Sequence, residues 1–286
     1  MVDDSEKARS SSDASYSNDH YMLYADGDII ADLFAFEKMK NHWDYNDLVT
    51  WETIDRVLKK EGIRRVIDIG GGVGTWAFRV ARRHLHVSIT SFDLAEGQVK
   101  NAQDLLEGPF SDLKDRVNFY QGDAEDMRRE SDGSYDLAIC LHDVLNHIPH
   151  YEATVKEMAR VANRHITSVH TAEGPRTFYT VSPDEVDYST VRKEGDWLRF
   201  STKDRTDYVF HDKLFRYDEV TGLFRRHTEV IDSFGIDVGV SDNLRRLKGD
   251  SFEVLPRLRV EEDKIKRLDK YATKAEHILV YSRTVR

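Results

Sequence analysis

The stretch "RRVIDIGGGVGTWAFRV", Arg64 to Val80, places three consecutive glycines, and a fourth two positions on, between an apolar run and an amphipathic one. The β-branched run "VIDI" reads as a buried strand and the pattern resuming at Thr75 as a helix, so the glycines form the turn between them. Glycine has no Cβ, which lets Gly70, Gly72 and Gly74 take unusual dihedrals and lets a ligand approach the main chain. The helix amino terminus beyond offers unpaired N–H groups, and a nucleoside-bearing ligand is the natural occupant. The spacing is D-x-G-x-G-x-G from Asp68 to Gly74, whereas the dinucleotide fingerprint G-x-G-x-x-G needs glycine where the chain has Thr75. That departure counts against NAD. A tight strand-to-helix turn with no ligand is the plain structural alternative.

Working outward, short β-branched runs alternate with helical segments: "RRVIDI", a helix from Thr75, "VSITSFD", a helix from Ala95, "RVNFYQ", "YDLAICL", a helix from Tyr151, and "HITSVH". Such alternation implies a parallel sheet covered on both faces. Upstream, apolar positions from Asp26 to Gly62 predict two helices broken near "NHWDYND". Downstream, residues 174–212 interrupt the alternation, "DEVTGLFRRHTEVIDSFG" predicts a helix ending at Gly235, "IDVGV" resumes the sheet, residues 243–274 form a second insertion, and "HILVYSRT" closes the sheet. The organisation expected is a tail and helical lid over 1–50, a binding core over 51–173, a substrate or lid insertion over 174–212, and completion of the core over 213–286.

The 286 residues are more than one hydrophobic core requires, and 40% hydrophobic with 33% charged residues describes a globular chain with no apolar run of membrane-spanning length. The beginning, "MVDDSEKARSSSDASYSND", is acidic and Ser-rich where a secretory signal is basic and then apolar, so a cytoplasmic protein is expected. One cysteine, Cys140, forms no internal disulfide and supplies no Cys-rich metal site. A net charge of −10 opposes nucleic acid, and a small-molecule partner is favoured. The sequence does not decide between monomer and homodimer.

Two acids extend the reading of the glycine turn. Asp93 ends the second strand nineteen residues past Gly74, where a carboxylate can accept from two ribose hydroxyls. Asp123 follows the third strand, where it can accept from an exocyclic amine such as adenine N6. Each could instead cap the next helix; as an ordered set they point to adenosine. The motifs "VIDIGGGVGTWA", "SFDLAEG", "GDAED" and "YDLAICLHDVLNHI", covering roughly Trp51 to Glu173, resemble the successive motifs of class I S-adenosylmethionine-dependent methyltransferases. The resemblance implies a Rossmann-like seven-stranded mixed sheet, mostly parallel with the last strand antiparallel, "HILVYSRT" being the hairpin partner of "IDVGV". It assigns Gly70, Gly72 and Gly74 to the methionine half of S-adenosylmethionine, Asp93 to the ribose and Asp123 to adenine. Leu94 and Ala124 would flank the adenine ring, Asp68 would lie near the cofactor's amino group, and Leu141 and His147 would complete the cofactor-binding set.

The implied reaction is methyl transfer to oxygen or nitrogen, with carbon admitted, of a small acceptor in secondary metabolism. His142, directly after the fourth strand, is the first candidate for a general base and His170, ending the fifth, is the second. Metal ligation by His142, Asp143 and His147 is the alternative, disfavoured because two histidines five apart seldom face one ion on a helix; no metal is expected. Tyr16 and Tyr24 are expected over the cofactor, and Tyr21, Phe178, Tyr179 and Trp197 against the substrate, with Phe200, Tyr208 and Phe210 also available as walls. Arg176, Arg199 and Arg205 could hold an acidic substrate group. The competing readings are an oxidoreductase, a methyltransferase acting on RNA or protein, and a binder of the cofactor without catalysis.

Overall fold

The computed structural model describes residues 33, 34, 37, 42–174, 186–203, 210–239 and 251–285. Ten strands and eight α-helices are named below in chain order. The principal sheet has seven strands in the order β3-β2-β1-β4-β5-β10-β9. Its first five, β1 (Arg65–Ile69), β2 (Ser88–Asp93), β3 (Val117–Gln121), β4 (Leu137–Cys140) and β5 (Arg164–His170), pair in parallel. β10 (His277–Arg283) runs antiparallel to both β5 and β9 (Glu229–Ile236).

Period-two geometry sends successive side chains of a strand to opposite faces, and β1 shows the result: Val66 joins one apolar cluster, Ile67 and Ile69 the other. Both faces are covered, which explains why the central strands read as continuous apolar runs. On the first face lie α1 (His42–Lys60), α2 (Thr75–Arg83) and α3 (Glu96–Glu107), contributing Ile54, Phe78 and Ala102. On the second lie α5 (Tyr151–Val161) and α6 (Tyr217–His227), contributing Val155 and Phe224. Between β4 and α5 sits the single turn α4 (Val144–His147).

Three sequence expectations are corrected. The second of the two helices predicted upstream begins earlier than expected, because α1 starts at His42, inside "NHWDYND", and runs on through residue 50. The polar residues that suggested a break are partnered: Asn46 Nδ2 donates to Glu276 at 2.9 Å, and Asp47 meets Arg79 at 2.7 Å. The first of the two helices predicted there falls largely outside the described residues. The helix predicted to end at Gly235 ends instead at His227, where Thr228 takes an extended conformation and its hydroxyl donates to the Phe224 carbonyl. "EVIDSFGI" is therefore strand β9, and the strand placed at "IDVGV" is displaced toward the amino terminus. β10 is its antiparallel partner, as expected, across an insertion that carries α7 (Ser251–Ile265) and α8 (Asp269–Ala272).

The insertion after β5 carries a second, antiparallel sheet of β6 (Val186–Glu194), β7 (Trp197–Thr202) and β8 (Phe210–Lys213). A small core of Ala172, Val186, Leu198, Phe200 and Leu214 holds it. Among the described residues no helix is long and apolar enough to cross a membrane.

Candidate active site

The ends of β1 to β5 and the beginning of β10 share one edge of the sheet, and the candidate residues collect there. The glycine turn is tightly set. Gly70, Gly72 and Gly74 all have positive φ, at 67°, 54° and 86°. Gly71, not singled out by spacing, is packed tightest: an added Cβ would lie 2.0 Å from Ser91 Oγ and 2.5 Å from an Asp68 oxygen. At Gly72 the nearest atom is 3.8 Å away, so the main chain there is approachable.

Asp93 organises this turn. One carboxylate oxygen accepts the Gly72 N–H at 3.0 Å and the other the Ala95 N–H at 2.9 Å. Burial pushes its pKa up, against the opposing pull of these backbone donors. Asp68 lies behind, accepting from Ser91 Oγ at 3.1 Å, and burial pushes it up to about 7.

In front of the turn opens a cavity of about 320 Å³ lined by Gly70, Phe92, Asp93 and Leu94 on one side and by Gly122, Asp123, Ala124 and Glu125 on another. Val144, His147, Ile148, Pro149 and His150 close it. Of the residues assigned to the cofactor, Gly70, Asp93, Leu94, Asp123, Ala124 and His147 therefore share one pocket. Leu141 does not line it but is buried in the core. Asp123 is exposed and accepts the Glu125 N–H at 2.8 Å in a turn, so it does not cap a helix, the alternative that sequence left open. Glu125 was missed, yet it accepts the His150 N–H at 2.9 Å and so ties two walls together.

His142 and Asp143 both adopt left-handed backbone, with φ of 51° and 66°. The two side chains consequently go different ways. The His142 ring stacks on Trp76, with centroids 5.4 Å apart, and its Nε2 stands 3.0 Å from Asp47 Oδ1. Asp47 is fixed in turn by Arg79. Burial works against an imidazolium at His142, but the Asp47 carboxylate outweighs it and the pKa is raised. Asp47, on α1, was not found from sequence because its partner lies almost a hundred positions away.

Asp143 turns inward. Its Oδ2 is 2.9 Å from His170 Nε2 and its Oδ1 3.1 Å from His277 Nε2. Burial opposes charge on both partners of the first pair, yet mutual attraction prevails: Asp143 is held well below the usual carboxylate range, and His170 is pushed up to about 10 by Asp143 and by Asp212. Both ring nitrogens of His170 face buried carboxylates, Nε2 that of Asp143 and Nδ1 that of Asp212, which speaks against His170 as the base. The metal group considered from sequence is not assembled. Among the described residues, the three that bring ligand atoms within 4.8 Å of one another are Asp143, His170 and His277. His147 instead lies with Nδ1 at 3.3 Å from the His211 carbonyl.

Trp197 is half-buried on β7, in register with Lys213. Phe200 is consumed by the small core of the insertion, and Arg199 pairs with Glu194 at 3.1 Å, so neither stands free as a wall or anchor. Tyr16, Tyr21, Tyr24, Phe178, Tyr179, Arg176, Arg205 and Tyr208 lie outside the described residues, as does the side chain of Phe210.

Comparison with known proteins agrees with this geometry. Residues 66–165 match the family described as a methyltransferase domain. A ubiquinone biosynthesis O-methyltransferase of Bordetella bronchiseptica is 27% identical over 173 residues, covering 60% of this chain and 56% of that protein. The caffeic acid 3-O-methyltransferase of Zea mays is 38% identical over 58 residues, 20% of this chain and 15% of that one. The chain thus matches little more than half the length of the first of these relatives. A crystal structure of an S-adenosylmethionine-dependent methyltransferase from Clostridium acetobutylicum shares the fold, with a TM-score of 0.53 at 12% identity over 86% of this chain and 93% of that one. The matched domain, residues 66–165, carries the glycine turn, Asp93 and Asp123, and the sheet built around it has the fold shared with the Clostridium methyltransferase.

Proposed function

We propose that the protein transfers a methyl group from S-adenosylmethionine to an oxygen of a small-molecule acceptor. The observation that carries this is Asp93, whose carboxylate accepts the Gly72 N–H of the glycine turn and the Ala95 N–H just past β2 while lining the cavity. A cavity of about 320 Å³ with an acid at its floor and Leu94 and Ala124 on its walls suits an adenosine. When bound, S-adenosylmethionine supplies a methyl already activated by a sulfonium, so alignment and exclusion of water are the main demands on the protein. Asp93 would hold the ribose hydroxyls, Asp123 the adenine edge, and Gly72 would admit the methionine portion with Asp68 behind it. His142, oriented by Asp47 and Trp76 after β4, would receive the acceptor's proton. Oxygen is favoured because the Bordetella and maize relatives are named O-methyltransferases. A net charge of −10 supports a small acceptor over a nucleic acid.

Calorimetric titration with S-adenosylhomocysteine, followed by transfer of labelled methyl to a panel of phenols, amino sugars and amino acids, tests the reading. Binding together with labelling of a hydroxyl is expected. A folded protein that fails to bind would refute the pocket assignment. Binding with labelling confined to nitrogen would refute the oxygen acceptor, and binding without turnover on any acceptor would favour a non-catalytic role.

A further inference from the structure

We propose that Asp143, His170 and His277 form a binding site for one divalent transition-metal ion of the zinc type, buried behind the catalytic cavity. The fold brings them together from three directions. His170 and His277 are register partners across the antiparallel β5–β10 pair, so both rings stand at the same level of the sheet. Asp143 reaches them from the turn before α4, where a left-handed backbone at φ 66° directs its carboxylate inward. All three residues are at most 4% exposed. The carboxylate oxygens lie 2.9 and 3.1 Å from the two Nε2 atoms, spacings that two atoms bonded to one ion also adopt.

Two further observations separate this cluster from a simple ion pair. Asp143 Oδ1 is buried with His277 Nε2 beside it at 3.1 Å, so a second imidazole nitrogen converges on the carboxylate that already faces His170. Asp212 Oδ1 is likewise buried with no hydrogen-bond donor among the described residues, while its other oxygen lies 3.7 Å from His170 Nδ1. A buried carboxylate oxygen left in this way is costly unless a cation meets it. The nearby Lys213 is directed to Glu219 at 2.8 Å and Asp196 at 3.6 Å. The placement of Asp212 on the far nitrogen of His170 is the outer carboxylate that metal-binding histidines commonly have.

The donor set selects the ion. Two imidazoles and one carboxylate suit zinc, iron(II) or cobalt(II), whereas magnesium and calcium prefer all-oxygen sites. None of the three residues lines the cavity, while Val144 and His147 of the same segment do. The ion would thus tie the His142–His147 segment to β5 and β10 and fix the walls of the pocket without touching the acceptor.

The test uses tag-free full-length protein. Elemental analysis after purification, then cobalt(II) titration of chelator-treated protein followed by visible absorption, should show one tightly held ion that zinc displaces. Zinc should raise Tm in the wild type but not in Asp143→Asn or His277→Gln, both of which should lose cobalt uptake. Asp212→Asn should weaken cobalt affinity roughly tenfold to a hundredfold. Folded wild-type protein that carries no metal and takes up none, or variants that take it up undiminished, would overturn the site and leave an ion-paired cluster only. If neither variant folds, the wild-type Tm with and without zinc decides, and equality overturns the proposal. Binding of S-adenosylhomocysteine is measured separately, so failure here leaves the methyltransferase reading intact.

Discussion

Replacing Asp93 by Asn perturbs the turn and the pocket at one atom. The native side chain uses both oxygens on the backbone, at 3.0 Å to Gly72 and 2.9 Å to Ala95. Asparagine keeps one acceptor. If it serves Ala95, the side-chain NH₂ then faces the Gly72 N–H, and two donors oppose each other in a buried loop. The lost bond involves a charged acceptor and is worth about 1.5–3 kcal/mol. On the proposal that the ribose hydroxyls draw on the same carboxylate, the loss should appear in binding as a rise in Kd of roughly ten- to a hundredfold. Calorimetric titration with S-adenosylhomocysteine, paired with thermal melts of the unliganded variant, separates the two effects. A lower Tm alone reports the turn, and weaker binding reports the ribose contact. A folded variant whose Kd stays within about twofold of wild type, less than 0.5 kcal/mol, would refute the assignment of Asp93 to the ribose.

Three other outcomes are expected. Gly74→Ala forces a left-handed conformation at φ 86° and puts Cβ 2.5 Å from the Phe119 ring, so urea denaturation should show a loss of about 2–4 kcal/mol from the two causes; unchanged stability would mean a different turn in solution. His142→Ala should lower turnover by about 10²–10⁴-fold with S-adenosylhomocysteine affinity held, and loss of affinity instead would make His142 a binding group. His165 is fully buried between Ser282 Oγ and the Ala162 carbonyl, and burial lowers its pKa from 6.5 to about 4. The unfolded chain takes up that proton first, so stability present above pH 6.5 is lost as pH falls toward 4, by at most about 3 kcal/mol. His165→Gln should flatten this acid slope in urea melts across the same range, and a slope identical to wild type would exclude the residue as its source.

The parallel half of the molecule was legible because it is local. From "VIDI" to "HITSVH", each strand is a short β-branched run and each helix starts at a recognisable place, so the glycine turn and Asp93 follow from order, whereas Leu94 and Ala124 as pocket wall come only from the resemblance to class I methyltransferases. What escaped depends on distance. "NHWDYND" looks like a break until Asn46 and Asp47 meet Glu276 and Arg79, and no local pattern reports such partners. "EVIDSFGI" continued the helical period of α6 closely enough to be absorbed into it, and only pairing with β10 makes it a strand. His170 was expected to face substrate, but the left-handed backbone at Asp143 sends a carboxylate to meet it, a feature invisible in residue types.

The reversed direction of β10 bears on how the chain assembles. β1 and β2 meet through the pair Arg65 and Ser88, close in sequence, whereas the hydroxyl of Thr171 at the end of β5 reaches the Ala275 carbonyl across 104 positions. Contacts of such long range form late. The five parallel strands, with the glycine turn and Asp93, can come together during synthesis before residue 277 exists, leaving β5 as an open edge bearing the run "HITSVH". An unpaired apolar edge is a template for other chains, so the interval before β10 docks is the aggregation-prone stage. A ribosome-arrested fragment ending before β10 would then hold the walls of the cavity while remaining the form most in need of a chaperone.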